Sequence, residues 1–351
     1  MIAGSEISDQ VKSGELFEGD DFGGVDFKGE NLSGGIFNKV NFDGCDFSDS
    51  NLKDTVFNEC SMKSAIFVKA DLKNSLFAKC NIESSNFREV KGDLTKFIES
   101  EMAKSDFTGS NIQTLVITDS NMEEVALIDC VLDSPVFSTC KMKLLDFSGT
   151  KFFKAAFYKC EFEQNIFKDV TISLSGFFGA TFEETDFSKL DLTQCQFHDS
   201  TLNRCNFSES KIAQGGFMSA TLENSVFDNA YLELANFYEA NLKGASFIKA
   251  EMTNTSLQNA VLIRTNFSSA RLYQAQMEGV NSEESVFHGA DLAYADLSHA
   301  KLKGSDFSNA KMYMTNLHGI DDEGTVWTGA SKSLARGTND KRLKSEQWGK
   351  K

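Results

Sequence analysis

The feature that most constrains this chain is a period of five. Residues whose numbers end in 2 or 7, from Phe17 to Trp327, make 63 positions, and 60 of them are apolar; the exceptions are Gly92, Ser282 and Asp322. The frame never slips, so no loop insertion interrupts it. An amphipathic helix repeats near 3.6 residues and a half-buried strand every 2, so a strict five suits neither. The chain must turn a corner every five residues and return one side chain inward each time. Such self-similarity marks a repeat architecture, not a set of globular domains.

Two places before each centre, at numbers ending in 0 or 5, 48 of the 63 are Ala, Ser, Thr, Cys or Gly. Ala235-Asn236-Phe237, Ala240-Asn241-Leu242 and Ala290-Asp291-Leu292 show the unit. This resembles the pentapeptide-repeat family, whose motif reads Ala-(Asp/Asn)-(Leu/Phe)-X-X, over residues 15–327. The resemblance implies an all-β fold, a right-handed quadrilateral β-helix, with the centre and the small residue inward and the other three positions in solvent. At about 20 residues per coil and ~4.8 Å per strand spacing, nearly sixteen coils would make a rod about 75 Å long. The expected organisation is a capping segment at 1–14, the β-helix at 15–329, and a basic tail at 330–351 that could form a short capping helix.

A second period sits on the first. Of the 32 centres ending in 7, 25 are Phe; of the 31 ending in 2, only five are. Consecutive centres lie on adjacent faces, so phenylalanines should line two opposite faces and aliphatic side chains the other two. That is core packing with matched volumes, not a cofactor box.

Cys45, Cys60, Cys80, Cys130, Cys140, Cys160, Cys195 and Cys205 all fall on the small inward position. They are expected as buried small hydrophobes, with Cys60 over Cys80 and Cys140 over Cys160 as stacked thiols; disulfide or metal roles are the alternatives. A reducing, cytoplasmic compartment follows, with translocation as an effector left open. His198, His288, His299 and His318 fall on outward positions, so inward cysteines and outward histidines should not converge on a metal or form a nucleophile pair. With no glycine-rich phosphate loop either, neither a catalytic site nor a cofactor is expected.

The ends and irregularities carry their own expectations. Residues 5–13 should form a short helix stopped by Gly14. Glu15, Asp20 and Glu30 at inward positions imply a partly open first coil. At the other end, Asn339 or Asp340 should cap a helix through Trp348, with Leu343 and Trp348 covering the last coil; a disordered tail is the alternative. Leu115, Val125, Pro135 and Leu145 disturb the small positions, and Pro135 lacks a donor, which predicts a widening or bend there. Residues 279–284 and 319–324 are two versions of one acidic departure, flanking Lys301 and Lys303. A solvated charge cluster is expected there in preference to a calcium site.

Charge narrows the partner. The net charge is −16, with the basic stretch 332–351 at +5 and the remainder of the chain at −21. An acidic body opposes direct nucleic-acid or anionic-membrane binding. No apolar run approaches the roughly 20 residues of a membrane span, and the N-terminus lacks a secretory pattern. Residues 20 apart stack, so outward side chains form ladders. Tyr158, Phe178, His198, Met218 and Tyr238 make one; an adjacent, nearly neutral face adds Phe153, Leu174, Leu234, Tyr273, Tyr294, Tyr313 and Met314. Large side chains where small polar ones would serve folding form a candidate interface. Stacking that merely stabilises β-structure is the alternative.

The expected function is a non-enzymatic scaffold that binds another protein, for instance beside a bacterial secretion or effector system. The resemblance also implies an alternative, mimicry of DNA toward gyrase or topoisomerase. Against it, the most acidic face carries 16 acidic but 9 basic residues. A duplex of the same length would carry roughly 44 charges. Homodimerisation through the C-terminal coil remains open.

Overall fold

A computed structural model describes residues 3–348; Met1, Ile2 and residues 349–351, including the tail lysines Lys350 and Lys351, lie outside the described residues. Apart from its ends, the chain is parallel β-structure wound as a solenoid. Each side pairs with the equivalent side of the next turn: Leu16 lies beside Ile36, Phe17 beside Phe37 and Glu18 beside Asn38. The chain divides between Gly176 and Phe177 into two compact units. Against the nearly sixteen coils expected, each unit holds about eight 20-residue turns.

The motif explains the corners. The Asp or Asn before each centre accepts the backbone N–H two residues on, as in Asp21 to Gly23 at 3.0 Å and Asn316 to His318 at 3.1 Å. This Asx turn bends the chain away from a continuing strand. The same side chains also bond along the stack, Asn41 to Asp21 at 2.8 Å. The second residue after each centre then takes a left-handed backbone, with φ +58 at Asn74 and +57 at Asn224. Asn, Asp and Gly tolerate that conformation best.

Inside, large and small side chains divide the work. Phe207, Phe227 and Phe247 stack at 4.7 and 4.8 Å with nearly parallel rings, and Phe217 and Phe237 meet Phe227 edge-on at 5.7 and 5.8 Å. Two parallel stacks thus interlock across the core, a favourable aromatic geometry. The small inward groups, when polar, donate to a carbonyl 23 residues back: Thr55 to Leu32 at 3.0 Å, Thr265 to Leu242 at 2.9 Å, and the Cys45 thiol to Phe22 at 3.0 Å. Other buried hydroxyls bond within their own turn, as Ser75 to the Leu72 carbonyl at 2.6 Å, and Ser50 alone among the described buried polar side chains has no partner.

The 20-residue register continues through residues 115–145, where a widening or bend was expected. Val116 pairs with Val136, and Asn121 and Ala126 bridge to Lys141 and Asp146. Leu115, Val125, Pro135 and Leu145 are all buried. Where the small position grows at Leu115 and Val125, the centre two residues on shrinks to Ile117 and Leu127, so inward volume is conserved. Pro135 still accepts the Ala156 N–H at 2.9 Å.

Helix α1 (Gly4–Lys12) lies against the first turns, burying Ile7 and Val11, while the Ser8 hydroxyl donates to the Asn31 carbonyl at 2.9 Å. Gly14, at φ +82, takes the left-handed step that ends it. Glu15 and Asp20 are exposed, so the first coil is open as expected. At the far end Trp327 stacks on Phe307 at 4.7 Å and the Lys332 ammonium sits 4.1 Å above its indole. Helix α2 (Asp340–Trp348) follows. Leu343 is half-buried, but Trp348 is 89% exposed. The expected cover by Trp348 is therefore corrected: the last described residue of α2 turns its indole to solvent.

Candidate functional site

The outward ladders differ in how far they project. In the first unit Tyr158 is 45% exposed, and Phe153 is exposed with the Lys154 ammonium 5.0 Å over its ring. In the second unit Phe178, His198, Met218 and Tyr238 follow at 20-residue intervals but are half-buried. Phe178 and His198 meet edge-on at 6.1 Å. This row is in register, yet its side chains are only partly presented to solvent.

The neighbouring face of the second unit is better built. Tyr273 and Tyr313 stand at equivalent positions two turns apart, and the turn between them has Ala293 in that place. Tyr294, one residue on, leans into the gap. Its ring meets Tyr273 at 5.6 Å and 71° and Tyr313 at 5.5 Å and 79°, a three-tyrosine herringbone with Tyr294 and Tyr313 exposed. Tyr294 holds its place at φ +60, and Leu234 (φ +60) and Met314 (φ +58) of this unit do likewise, as does Leu174 (φ +53) in the first unit. A left-handed backbone costs an L-residue roughly 1 kcal/mol, so apolar bulk there is not explained by folding. Beside the tyrosines, Tyr231, Arg271, Glu251, Glu233, Thr253 and Ala213 line a shallow groove of about 440 Å³. The face is balanced in charge: Lys211, Arg271 and Lys311 offset Glu233, Glu251 and Asp291.

The acidic departures behave as a paired charge cluster. Lys303 bonds Glu323 at 2.8 Å, Arg264 bonds Glu284 at 2.7 Å, and Lys332 bonds Asp322 at 2.8 Å. Ser282 is buried and its carbonyl accepts the Ser305 hydroxyl at 2.6 Å. Arg204 reaches both Glu183 and Glu184. Much of the acidic face is thus neutralised by its own bases.

All eight cysteines are buried and free. Burial pushes the Cys45 and Cys130 thiols up to about 11 and Cys205 up to about 12. Cys80 is held high by the adjoining Cys60 thiol and by burial, and Cys160 by Cys140 in the same way. None of these is poised as a nucleophile.

His318 corrects the expectation that every histidine faces solvent. It sits at an outward position of its turn, but the chain after residue 337 folds back over it, leaving it 2% exposed. The Asn339 N–H donates to its Nδ1 at 3.1 Å, and Gly319 N–H donates to the Thr338 hydroxyl at 3.2 Å. Glu346 of α2 places Oε2 at 3.1 Å from His318 Nε2 and 3.3 Å from His299 Nε2. Arg342, bonding the other carboxylate oxygen at 2.6 Å, and then His318 hold the Glu346 carboxyl below the usual glutamate range. The repeat frame puts His299 and His318 on adjoining turns, and that was the available signal. Docking of α2, which completes the group, had none.

A solenoid of five-residue sides, with nearly all of its small and large inward side chains buried in its core, is a repeat protein. The chain belongs to the pentapeptide-repeat family: the model described as Pentapeptide repeat region matches residues 16–87, and Pentapeptide repeats (8 copies) matches 177–212, 217–254, 245–281 and 284–321. The stretch between, with its disturbed small positions, lies outside both matches. No curated protein matches the sequence. Among solved structures the chain is similar to QnrB1, a plasmid-mediated fluoroquinolone resistance protein, at 18% identity over 68% of this chain and 97% of that one, with a TM-score of 0.35. It is similar to HetL, involved in heterocyst differentiation regulation in the cyanobacterium Nostoc sp. strain PCC 7120, at 18% identity over 72% and 91%, with a TM-score of 0.22. Rfr23 from the cyanobacterium Cyanothece 51142 is 28% identical over 36% of this chain and 63% of its own, with a TM-score of 0.18. Likenesses this loose do not carry a function across. Among the described residues no helix is long and apolar enough to cross a membrane.

Proposed function

We propose that the chain is a non-enzymatic scaffold that binds a partner protein on the tyrosine face of its second unit. The observation that carries this reading is the Tyr273–Tyr294–Tyr313 herringbone, with Tyr294 and Tyr313 exposed and Tyr294 on a left-handed backbone. Rigid aromatic side chains in a charge-balanced surround are the usual anchors of a protein interface, and the groove beside Tyr231 offers a slot for a partner side chain. The rival reading, an acidic surface standing in for DNA, is disfavoured by the basic residues on the acidic face, of which Lys143, Arg204, Arg264 and Lys303 pair with its carboxylates.

The test is capture from bacterial lysate at low and high salt, with the bound protein identified by mass spectrometry, using the wild-type chain and a Tyr294→Asn, Tyr313→Ser variant. Asn suits the left-handed backbone at 294, so melting should hold. Loss of two anchors at about 2 kcal/mol each, about 4 kcal/mol together, weakens a specific partner on the order of a thousandfold. A salt-resistant partner lost on mutation supports the proposal. Equal capture by the variant refutes it, and a topoisomerase subunit released by salt would install the mimicry reading instead.

A further inference from the structure

We propose that His299, His318 and Glu346 form a site for one divalent transition-metal ion of the zinc type, which clips helix α2 to the last turns. One donor atom from each of the three lies within 4.8 Å of the others, and Glu346 Oε2 faces both Nε2 nitrogens. A tetrahedral ion with ligands at ~2.0–2.1 Å sets them about 3.3 Å apart along each edge. Two of the three edges already match, at 3.1 and 3.3 Å. The imidazole rings stand 5.2 Å apart at 80°, so their nitrogens converge without the rings stacking.

The donor set selects the ion. Two imidazoles and one carboxylate suit zinc and its transition-metal neighbours, not calcium or magnesium, which take oxygen ligands. Three protein ligands leave a fourth position for water, and His299 and Glu346, each about one-third exposed, open the site to it. The surrounding shell has the expected form: Arg342 Nε holds Glu346 Oε1 at 2.6 Å and turns Oε2 toward the histidines.

One feature opposes the ion and sharpens the test. The Asn339 N–H donates to His318 Nδ1, so without metal the His318 proton sits on Nε2, facing Glu346. An ion at Nε2 requires that proton on Nδ1, opposite the Asn339 N–H. Binding therefore moves the proton across the ring, with none released by His318, and gives up one backbone hydrogen bond. The tautomer reports occupancy directly.

The experiment uses the full chain after chelator treatment, in excess Mg²⁺ to occupy surface carboxylates. Zn²⁺ is titrated by calorimetry near neutral pH, Co²⁺ is followed by visible absorption, and the His318 ring nitrogens are followed by NMR. The expected result is one ion per chain, a tetrahedral Co²⁺ spectrum and a switch of the His318 proton from Nε2 to Nδ1. Glu346→Gln and His299→Asn should each weaken binding at least ~10-fold, since even outer-shell losses cost that much. Both positions are partly exposed, which leaves the solenoid core intact in either variant. The absence of one-to-one binding, affinity unchanged in both variants, or a His318 proton that stays on Nε2 at saturation would overturn the site and leave a metal-free hydrogen-bonded latch.

Discussion

Replacing Phe227 by Ala tests the account of the core at its densest point. The ring is fully buried, stacked between Phe207 and Phe247 and met edge-on by Phe217 and Phe237. Removing a buried Phe costs about 3–5 kcal/mol, and the value rises with the cavity that fails to collapse. Here the cavity cannot collapse easily, because the turns on either side are held by backbone bonds such as Phe227 N–H to the Ser246 carbonyl at 2.7 Å. The expected loss is therefore near the upper end, ~5 kcal/mol. Phe227→Leu should cost only about 1–1.5 kcal/mol, since Leu nearly conserves volume and already serves as a centre at Leu257 and Leu297. In a solenoid each turn contacts only its neighbours, so the damage should be local. Native-state hydrogen exchange should show the amides of residues 207–247 opening about five-thousandfold faster in the Ala variant, a tenfold for each 1.36 kcal/mol, while those of residues 32–57 keep their rates. Equal, small effects of Ala and Leu, or an even rise in exchange along the whole chain, would refute the interlocked-stack reasoning.

Two further outcomes follow from the thiols and from the C-terminal carboxylate. The native protein should leave all eight cysteines unreacted toward a thiol reagent at pH 8, because all are buried, including Cys60 and Cys140, whose thiol pKa is lowered by the neighbouring Cys80 and Cys160, and should expose eight on denaturation; Cys45, Cys130 and Cys205, raised to about 11 or 12, are protonated at that pH as well. Rapid labelling of Cys45 or Cys130 in the native state would contradict their placement. The Glu346 carboxyl titrates lower in the folded protein than in the unfolded chain. Its contribution is therefore present above the unfolded glutamate pKa of about 4.3 and is lost as pH falls through the lower folded value. Exchange of the 339–348 amides in metal-free protein should stay slow at pH 5 and quicken below pH 4; detachment already at pH 6 would assign the latch to histidine protonation instead.

The sequence exposed the core almost completely, because the information is local. Phe227 is inward for the same reason as Phe17: its number ends in 7, and the Asx turns between them keep the frame. The steps that failed were those that depend on chain folding back on itself. His318 occupies an outward position by every local rule, and only the docking of residues 338–346 buries it. Trp348 looked like a natural lid by its hydrophobicity, yet α2 lies with Leu343 inward. Pro135 warned of a bend, but volume is exchanged between Leu115 and Ile117 and between Val125 and Leu127, so the register absorbs the disturbance. The herringbone was only half legible. Its three tyrosines were on one face by arithmetic, but their contact needs the gap at Ala293.

The same arithmetic limits where function can reside. Of five positions in a side, the centre and the small residue are inward, and the residue between them, where it is Asp or Asn, is occupied by the Asx bond; where it is not, as at Tyr231 and Arg271, it faces out beside the groove. The first and second residues after the centre also face out, and the second has a left-handed backbone in nearly every side. Gly, Asn and Asp carry that conformation with least strain, as at Gly244, Asn254 and Asn309, but more than half of the sides place another residue there, many of them Lys, Glu or Gln that keep a polar end in water. In the second unit Leu234, Tyr294 and Met314 put apolar side chains at that position on one face. In a chain whose other residues are occupied with stacking, such residues are the most direct physical mark of a surface kept for something other than folding.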